Sequence, residues 1–179
     1  VSVIAGALIL YAAMLVAFEK KIVFYPVKYP SGIWDIASFG VKIEDVYFES
    51  GDGVKLHGWY VPSPGARATL LWFHGNAGNI THRLDNILRL QPLKLNIFIF
   101  DYRGYGRSAG EPDEKGIYLD SEAAYEYLTK TKNVRPENLF LFGRSLGGIC
   151  AIEVAYTRQA RGLILESVFT SAGDMAKNI

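Results

Sequence analysis

The sequence predicts an α/β fold: a mostly parallel central sheet with an antiparallel start, preceded by an N-terminal transmembrane helix. Three observations carry this. From Thr69 onward short apolar strands alternate with helical stretches, the strand–helix–strand pattern of a parallel sheet. Before them, two strands flank Gly51-Asp52-Gly53 and read as a hairpin. Before those lies a run without charge, residues 1–18. The 179 residues suffice for one domain with a core, and 50% hydrophobic against 21% charged residues excludes a disordered chain. A net charge of +1 leaves no electrostatic case for nucleic acid. The single cysteine, Cys150, rules out an internal disulfide and leaves the compartment open.

Taken in order, residues 1–18 span roughly 27 Å as a helix, close to the hydrocarbon thickness of a bilayer. Glu19, Lys20 and Lys21 stop the run, and Phe24, Tyr25, Tyr29 and Trp34 follow, as at a lipid–water boundary. A buried core helix and a cleaved signal peptide are the rival readings. The ending Val16-Ala17-Phe18-Glu19 is a poor cleavage site, so the expectation is an uncleaved single-pass anchor. Lys20 and Lys21 hint at a cytoplasmic side for the following domain, and the sequence leaves the orientation open. Residues 19–43, with Pro26, Pro30, Gly32 and Gly40, read as a linker or wrapping segment. Residues 44–179 read as the folded domain.

Within it, strands are expected at Val46–Ser50, Lys55–Val61, Thr69–Phe73, Asn96–Asp101, Leu139–Phe142 and Leu163–Leu165. The near-continuous apolar character of Asn96–Asp101 is that of a sheet covered on both faces. Helices are expected at Asn79–Leu90, Lys115–Lys130 and Leu146–Arg158, with a further one beginning at Thr170. Val1 in place of an initiator methionine, and a helix only begun at Ile179, read as cuts at both ends.

Gly143-Arg144-Ser145-Leu146-Gly147 matches G-x-S-x-G, in which a serine occupies a sharp strand-to-helix turn. A side chain two residues to either side would clash, so glycine fills both places. The N–H of Leu146 then faces the point where an oxyanion would form. With 18 glycines and ten serines, a chance match is expected about 0.1 times. Context must therefore decide, because Gly106-Arg107-Ser108-Ala109-Gly110 matches equally well. Only Ser145 follows an apolar strand and opens an apolar helix; Ser108 is followed by Gly110-Glu111-Pro112, which blocks one. Gly104 to Ala109 also fits the dinucleotide pattern G-x-G-x-x-A, but no helix opens there to receive a pyrophosphate.

The loop His74-Gly75-Asn76-Ala77-Gly78-Asn79 follows a central strand, where such sites need their second oxyanion donor. The N–H of Asn76 is the candidate. His74 reads as fixing loop shape through a backbone hydrogen bond rather than as a catalytic base. His57 and His82 have no motif around them, and no pair has metal-ligand spacing, so neither metal nor organic cofactor is expected.

Four motifs taken together, His74–Asn79, Asp101-Tyr-Arg-Gly-Tyr-Gly-Arg-Ser108, Gly143-Arg-Ser-Leu-Gly-Gly148 and Glu166-Ser-Val-Phe-Thr170, resemble the membrane-anchored α/β-hydrolase-domain family of bud-emergence type. Phe18-Glu-Lys-Lys-Ile-Val-Phe-Tyr-Pro26 after an apolar run is similar to it too, so the likeness covers nearly the whole chain. The resemblance implies an α/β-hydrolase fold, of which 44–179 is the N-terminal part. It implies a serine esterase, thioesterase or lipase acting on a small-molecule, lipid or acyl-protein substrate, with Ser145 as nucleophile and no nucleic-acid partner. It also implies an acid and a histidine in that order after the serine. Both are expected beyond Ile179, and the chain by itself is expected to be inactive. Glu166 and Asp101 are lesser candidates for the acid; Asp101 reads as shaping its loop. A binding protein that keeps the fold without catalysis is the rival reading.

Overall fold

The computed structural model describes residues 23–36 and 39–168, together with Gly6. The expected anchor (Gly6 apart) and the helix expected from Thr170 lie outside the described residues. Among the described residues no helix is long and apolar enough to cross a membrane.

Six strands form one sheet: β1 Glu44–Glu49, β2 Lys55–Val61, β3 Thr69–Phe73, β4 Asn96–Asp101, β5 Leu139–Arg144 and β6 Gly162–Glu166. Their order across the sheet is β1-β2-β4-β3-β5-β6. The β1–β2 and β2–β4 pairs are antiparallel, and β4–β3, β3–β5 and β5–β6 are parallel. The expected antiparallel start and parallel remainder are both present. Each crossover needs a covering element, because two parallel neighbours cannot be joined by a tight turn. Helix α1 (Leu84–Leu90), helix α2 (Glu114–Glu126) and helix α3 (Leu146–Thr157) supply these covers.

The pleat sends alternate residues to opposite faces. Leu71, Phe73, Phe98, Phe100, Leu139 and Leu141 pack under α2 and α3. Leu70, Trp72, Ile97 and Ile99 turn the other way, against Ile80, Leu84 and Ile87. That second face is also covered by Trp34, Ile36, Phe39, Val41 and Ile43, so the segment before β1 wraps the sheet.

The helices depart from the expected bounds for local reasons. The expected helix Asn79–Leu90 is split. Asn79 caps a 3₁₀ turn, Ile80–Arg83, by accepting from the Thr81 N–H, and the α-helix begins only at Leu84. Helix α2 starts at Glu114 because Asp113 accepts the Gly116 N–H, which satisfies one of the free amides of its first turn. It ends in a π-turn, Tyr127–Thr131.

Candidate active site

The carboxyl ends of β3, β4 and β5 meet at one edge of the sheet. Strand β5 runs through Arg144 and α3 begins at Leu146, so Ser145 alone makes the turn. Its backbone stands at φ 52°, ψ −118°, a region a non-glycine residue enters only when its surroundings hold it there. Two bonds hold it: the Ser145 N–H donates to the Glu166 carbonyl at 2.9 Å, and the Gly148 N–H donates to the Ser145 carbonyl at 2.9 Å. The flanking glycines are sterically required. A Cβ on Gly147 would lie 2.0 Å from the Phe73 carbonyl oxygen, and one on Gly143 would lie 2.4 Å from the Gly147 oxygen. Ser145 is half-buried, so its hydroxyl remains within reach of a ligand.

The loop after β3 lies against this turn. A Cβ built on Gly75 would sit 3.6 Å from the Ser145 Cβ, so the two segments run close beside each other. Asn76 follows. Neither its N–H nor that of Leu146 hydrogen-bonds to a described residue. The structure thus brings Ser145, Leu146 and the 74–76 loop together at the start of α3, whose positive dipole end favours a developing negative charge.

Sequence reasoning did not foresee how Asn76 is held. Its Nδ2 donates to the Val23 carbonyl at 2.5 Å, and its Oδ1 accepts from the Tyr25 N–H at 3.2 Å and the Tyr105 hydroxyl at 2.8 Å. Burial raises the Tyr105 phenol well above its ordinary range, so the hydroxyl stays protonated and can donate. Residues 25–29 also bridge the two loops. The Val27 N–H donates to Gly78, the Tyr29 N–H to Gly106, and the Gly106 N–H to Val27. Partners 29 or more positions apart leave no local signal. The one clue was a polar residue set among glycines.

The histidines are engaged elsewhere. His74 is fully buried, with Nδ1 2.8 Å from the Gly75 carbonyl and its ring against Tyr102. His57 is buried in β2, with Nε2 2.9 Å from Asp45. His82 Nδ1 accepts the Asn79 N–H at 3.2 Å. Asp101, also buried, accepts from the Ile80 N–H at 2.9 Å and braces the loop after β3. Glu166 carries its carboxylate 3.7 Å from Arg144 at an exposed position.

Ser108 is placed differently from Ser145. It is buried; its hydroxyl donates to the Asp101 carbonyl at 2.6 Å and accepts from the His57 N–H at 2.9 Å. No helix opens after it until Glu114, so the glycine-rich loop offers no helix N-terminus to a dinucleotide. Cys150, inside α3, is equally unsuited to attack, because burial pushes its thiol up to about 12.

Comparison with known proteins places these features in company. The family described as serine aminopeptidase, S33 matches residues 64–177. The alpha/beta hydrolase domain-containing protein WAV2 of Arabidopsis thaliana is 40% identical over 184 residues, covering 96% of this chain and 58% of that relative. Protein bem46 of Schizosaccharomyces pombe is 38% identical over 176 residues, covering 92% of this chain and 58% of the relative. Among solved structures, an esterase of Pyrococcus furiosus shares the fold with a TM-score of 0.68 at 24% identity, over 82% of this chain and 57% of that one. An alpha-beta hydrolase of Vibrio vulnificus gives 0.65 at 28%, over 75% and 48%. The chain spans 58% of the length of the two curated relatives named.

Proposed function

The chain belongs to the α/β-hydrolase domain family, and from that premise we propose that it carries the nucleophile of a serine hydrolase acting on carboxylic esters or thioesters. The observation that supports this best is the strained backbone of Ser145 at the β5–α3 turn. Strain of that kind persists where a fold must present one side chain. In the proposed reaction the Ser145 hydroxyl attacks the substrate carbonyl and a histidine takes its proton. The N–H groups of Asn76 and Leu146 hold the oxyanion while the alcohol or thiol leaves protonated. Water then releases the acid from the acyl-enzyme. All three histidines of the chain have other partners. We therefore assign the base, and the acid that orients it, to sequence outside residues 1–179. Residues 1–18 form the membrane anchor in this reading, which sets the site close to lipid.

One observation favours a second reading. With each histidine of the chain bonded to a partner other than Ser145, the fold would also serve as a membrane-held binding module without catalysis. Labelling of the full-length protein with a fluorophosphonate separates the two. The probe is expected to modify Ser145, and Ser145→Ala to remove the label. Label that survives in Ser145→Ala and disappears in Ser108→Ala would overturn the assignment, and no label at all would favour the binding module.

A further inference from the structure

Two arginines stand against the loop that carries the Asn76 N–H. Arg83 Nη2 donates to the Ala77 carbonyl, and the Arg144 carbonyl oxygen would lie 3.4 Å from a Cβ on Gly75. We propose that Arg83 and Arg144 form an anion-binding subsite that selects esters carrying a carboxylate or phosphate group, an inference that rests on Ser145 being the nucleophile. The pleat puts both residues on one side of the sheet. Arg144 follows Phe140 and Phe142 at alternate positions of β5, and those two rings pack on the face that holds Ile80 and Leu84. Arg83 stands between Ile80 and Leu84 in the chain, at the end of the 3₁₀ turn that covers this face.

Neither guanidinium has a full set of partners among the described residues. Arg83 is half-buried, and its Nε is enclosed without a hydrogen-bond partner. Burial, and after it the charge of Arg144, pull the Arg83 guanidinium below its ordinary value, with the buried Asp101 carboxylate opposing. Arg144 is exposed. The carboxylate beside it, Glu166, stands 3.7 Å away, beyond hydrogen-bonding distance, and is exposed as well. Two cations that repel one another at one site are offset by an anion between them. The guanidinium fork matches the oxygens of a carboxylate or a phosphate. The start of α3, next to Arg144, adds its positive dipole end. Ser145 follows Arg144 directly, so an anion held here lies a few bonds from a carbonyl at the Ser145 hydroxyl. A neutral ester reaches the same oxyanion donors and gains nothing from the arginines. Glu166 competes for Arg144, so the subsite is tempered by a carboxylate of its own chain.

The test uses the full-length protein and butyryl esters of three phenols that differ only in the para group: a carboxylate, a phosphate monoester and a neutral methyl carboxylate. Comparing variants with wild type cancels the intrinsic reactivity of each leaving group. Arg83→Gln and Arg144→Gln are each expected to lower the anionic-to-neutral ratio of kcat/KM about tenfold, the loss of one charge-assisted pairing. Glu166→Gln removes the competing carboxylate and is expected to raise the ratio about twofold. In the wild-type protein, sodium chloride at about 0.5 M should shrink the ratio toward that of the arginine variants, because it screens exposed charge. These last two measurements leave both arginines in place, so they hold even where an arginine variant fails to fold. A response by only one of the two anionic esters identifies the group as carboxylate or phosphate. Ratios within twofold of wild type in both arginine variants, for both anionic esters, would overturn the subsite. So would a wild-type ratio indifferent to salt and to Glu166→Gln. Turnover that persists in Ser145→Ala would overturn the nucleophile instead, so the two failures are distinguishable.

Discussion

Gly147→Ala tests the claim that the Ser145 turn is held by direct backbone contact. The added methyl carbon would lie 2.0 Å from the Phe73 carbonyl oxygen, 2.4 Å from its carbonyl carbon and 2.6 Å from the His74 oxygen. Non-bonded carbon contacts settle near 3.5 to 4.0 Å, so the overlap is roughly 1.5 Å. The obstacle cannot swing aside. Phe73 ends β3, which is paired on one side with β4 and on the other with β5. Helix α3 must therefore lift away from the sheet. Overpacking of this kind costs about 1 to 3 kcal/mol, and a rigid backbone obstacle places it toward the upper end. Alanine recovers at most about 1 kcal/mol of helix propensity, and less in a first turn. A net loss of about 2 kcal/mol lowers Tm by about 4 to 8 °C for a domain of this size. The lift also displaces the Leu146 N–H and the Ser145 hydroxyl, and a shift near 1 Å can cost about a hundredfold in rate. Thermal melts followed by circular dichroism, and the rate of fluorophosphonate labelling, read the two effects. Gly51→Ala is the control, since nothing lies within 4 Å of a methyl placed there. A Gly147→Ala protein that melts within 1 °C of wild type and labels at the wild-type rate would refute the reasoning.

Three further outcomes are expected. Asp120 is buried and receives the Arg103 backbone N–H at 2.7 Å and its guanidinium at 2.7 Å. Asp120→Ala leaves that cation without its inner partner and should cost about 3 kcal/mol in denaturant unfolding, whereas a loss under 1 kcal/mol would show the pair to be dispensable. Asp52 is held down to about 2 by its hydrogen bonds to Arg103. A lowered carboxyl stabilises the fold above its unfolded value near 4 and loses that contribution as pH falls through about 2. Stability should therefore decline over pH 4 to 2, and Asp52→Asn should flatten that limb; an identical acid limb in the variant counts against the pairing. Finally, the full-length protein should stay in the membrane fraction through carbonate and high-salt washes, because an apolar anchor is not screened by salt. Release by either wash removes the anchor from the reading.

The sheet was legible because each strand is a short apolar run bounded by turn residues, and those signals are local. Asn96–Asp101 and Lys55–Val61 fall where the pattern puts them. The split after Asn79 was less legible, because it depends on the Asn79 side chain capping before the apolar period begins. The contacts that shape the site were illegible. Arg103 with Asp52, Tyr105 with Asn76, and Val23 with Asn76 join residues 29 to 53 positions apart. No period or propensity links such positions; only the closing of the sheet brings them together.

The two G-x-S-x-G strings show what a motif leaves unsaid. In Gly106-Arg107-Ser108-Ala109-Gly110 the glycines carry the left-handed backbone, at φ 48° and 77°, and the serine does not. Gly106 is small because the Asp101 carboxylate fills the space, with Oδ2 1.9 Å from where a Cβ would stand. The loop folds inward on a side chain and buries its serine. In Gly143-Arg144-Ser145-Leu146-Gly147 the serine alone carries a positive φ, and its glycines are small because backbone passes close beside them. Here the chain folds inward at the glycines, and the turn leaves the serine side chain half-buried at the sheet's edge. The difference originates upstream of each string. Leu139–Phe142 delivers one serine from a strand in parallel pairing on both sides, which fixes the direction in which the chain must turn. Asp101 ends the other strand with a buried carboxylate that accepts from the Ile80 N–H, and the Ser108 hydroxyl donates back to the Asp101 backbone carbonyl. One serine is therefore spent on closing its loop, and the other is presented at the sheet's edge.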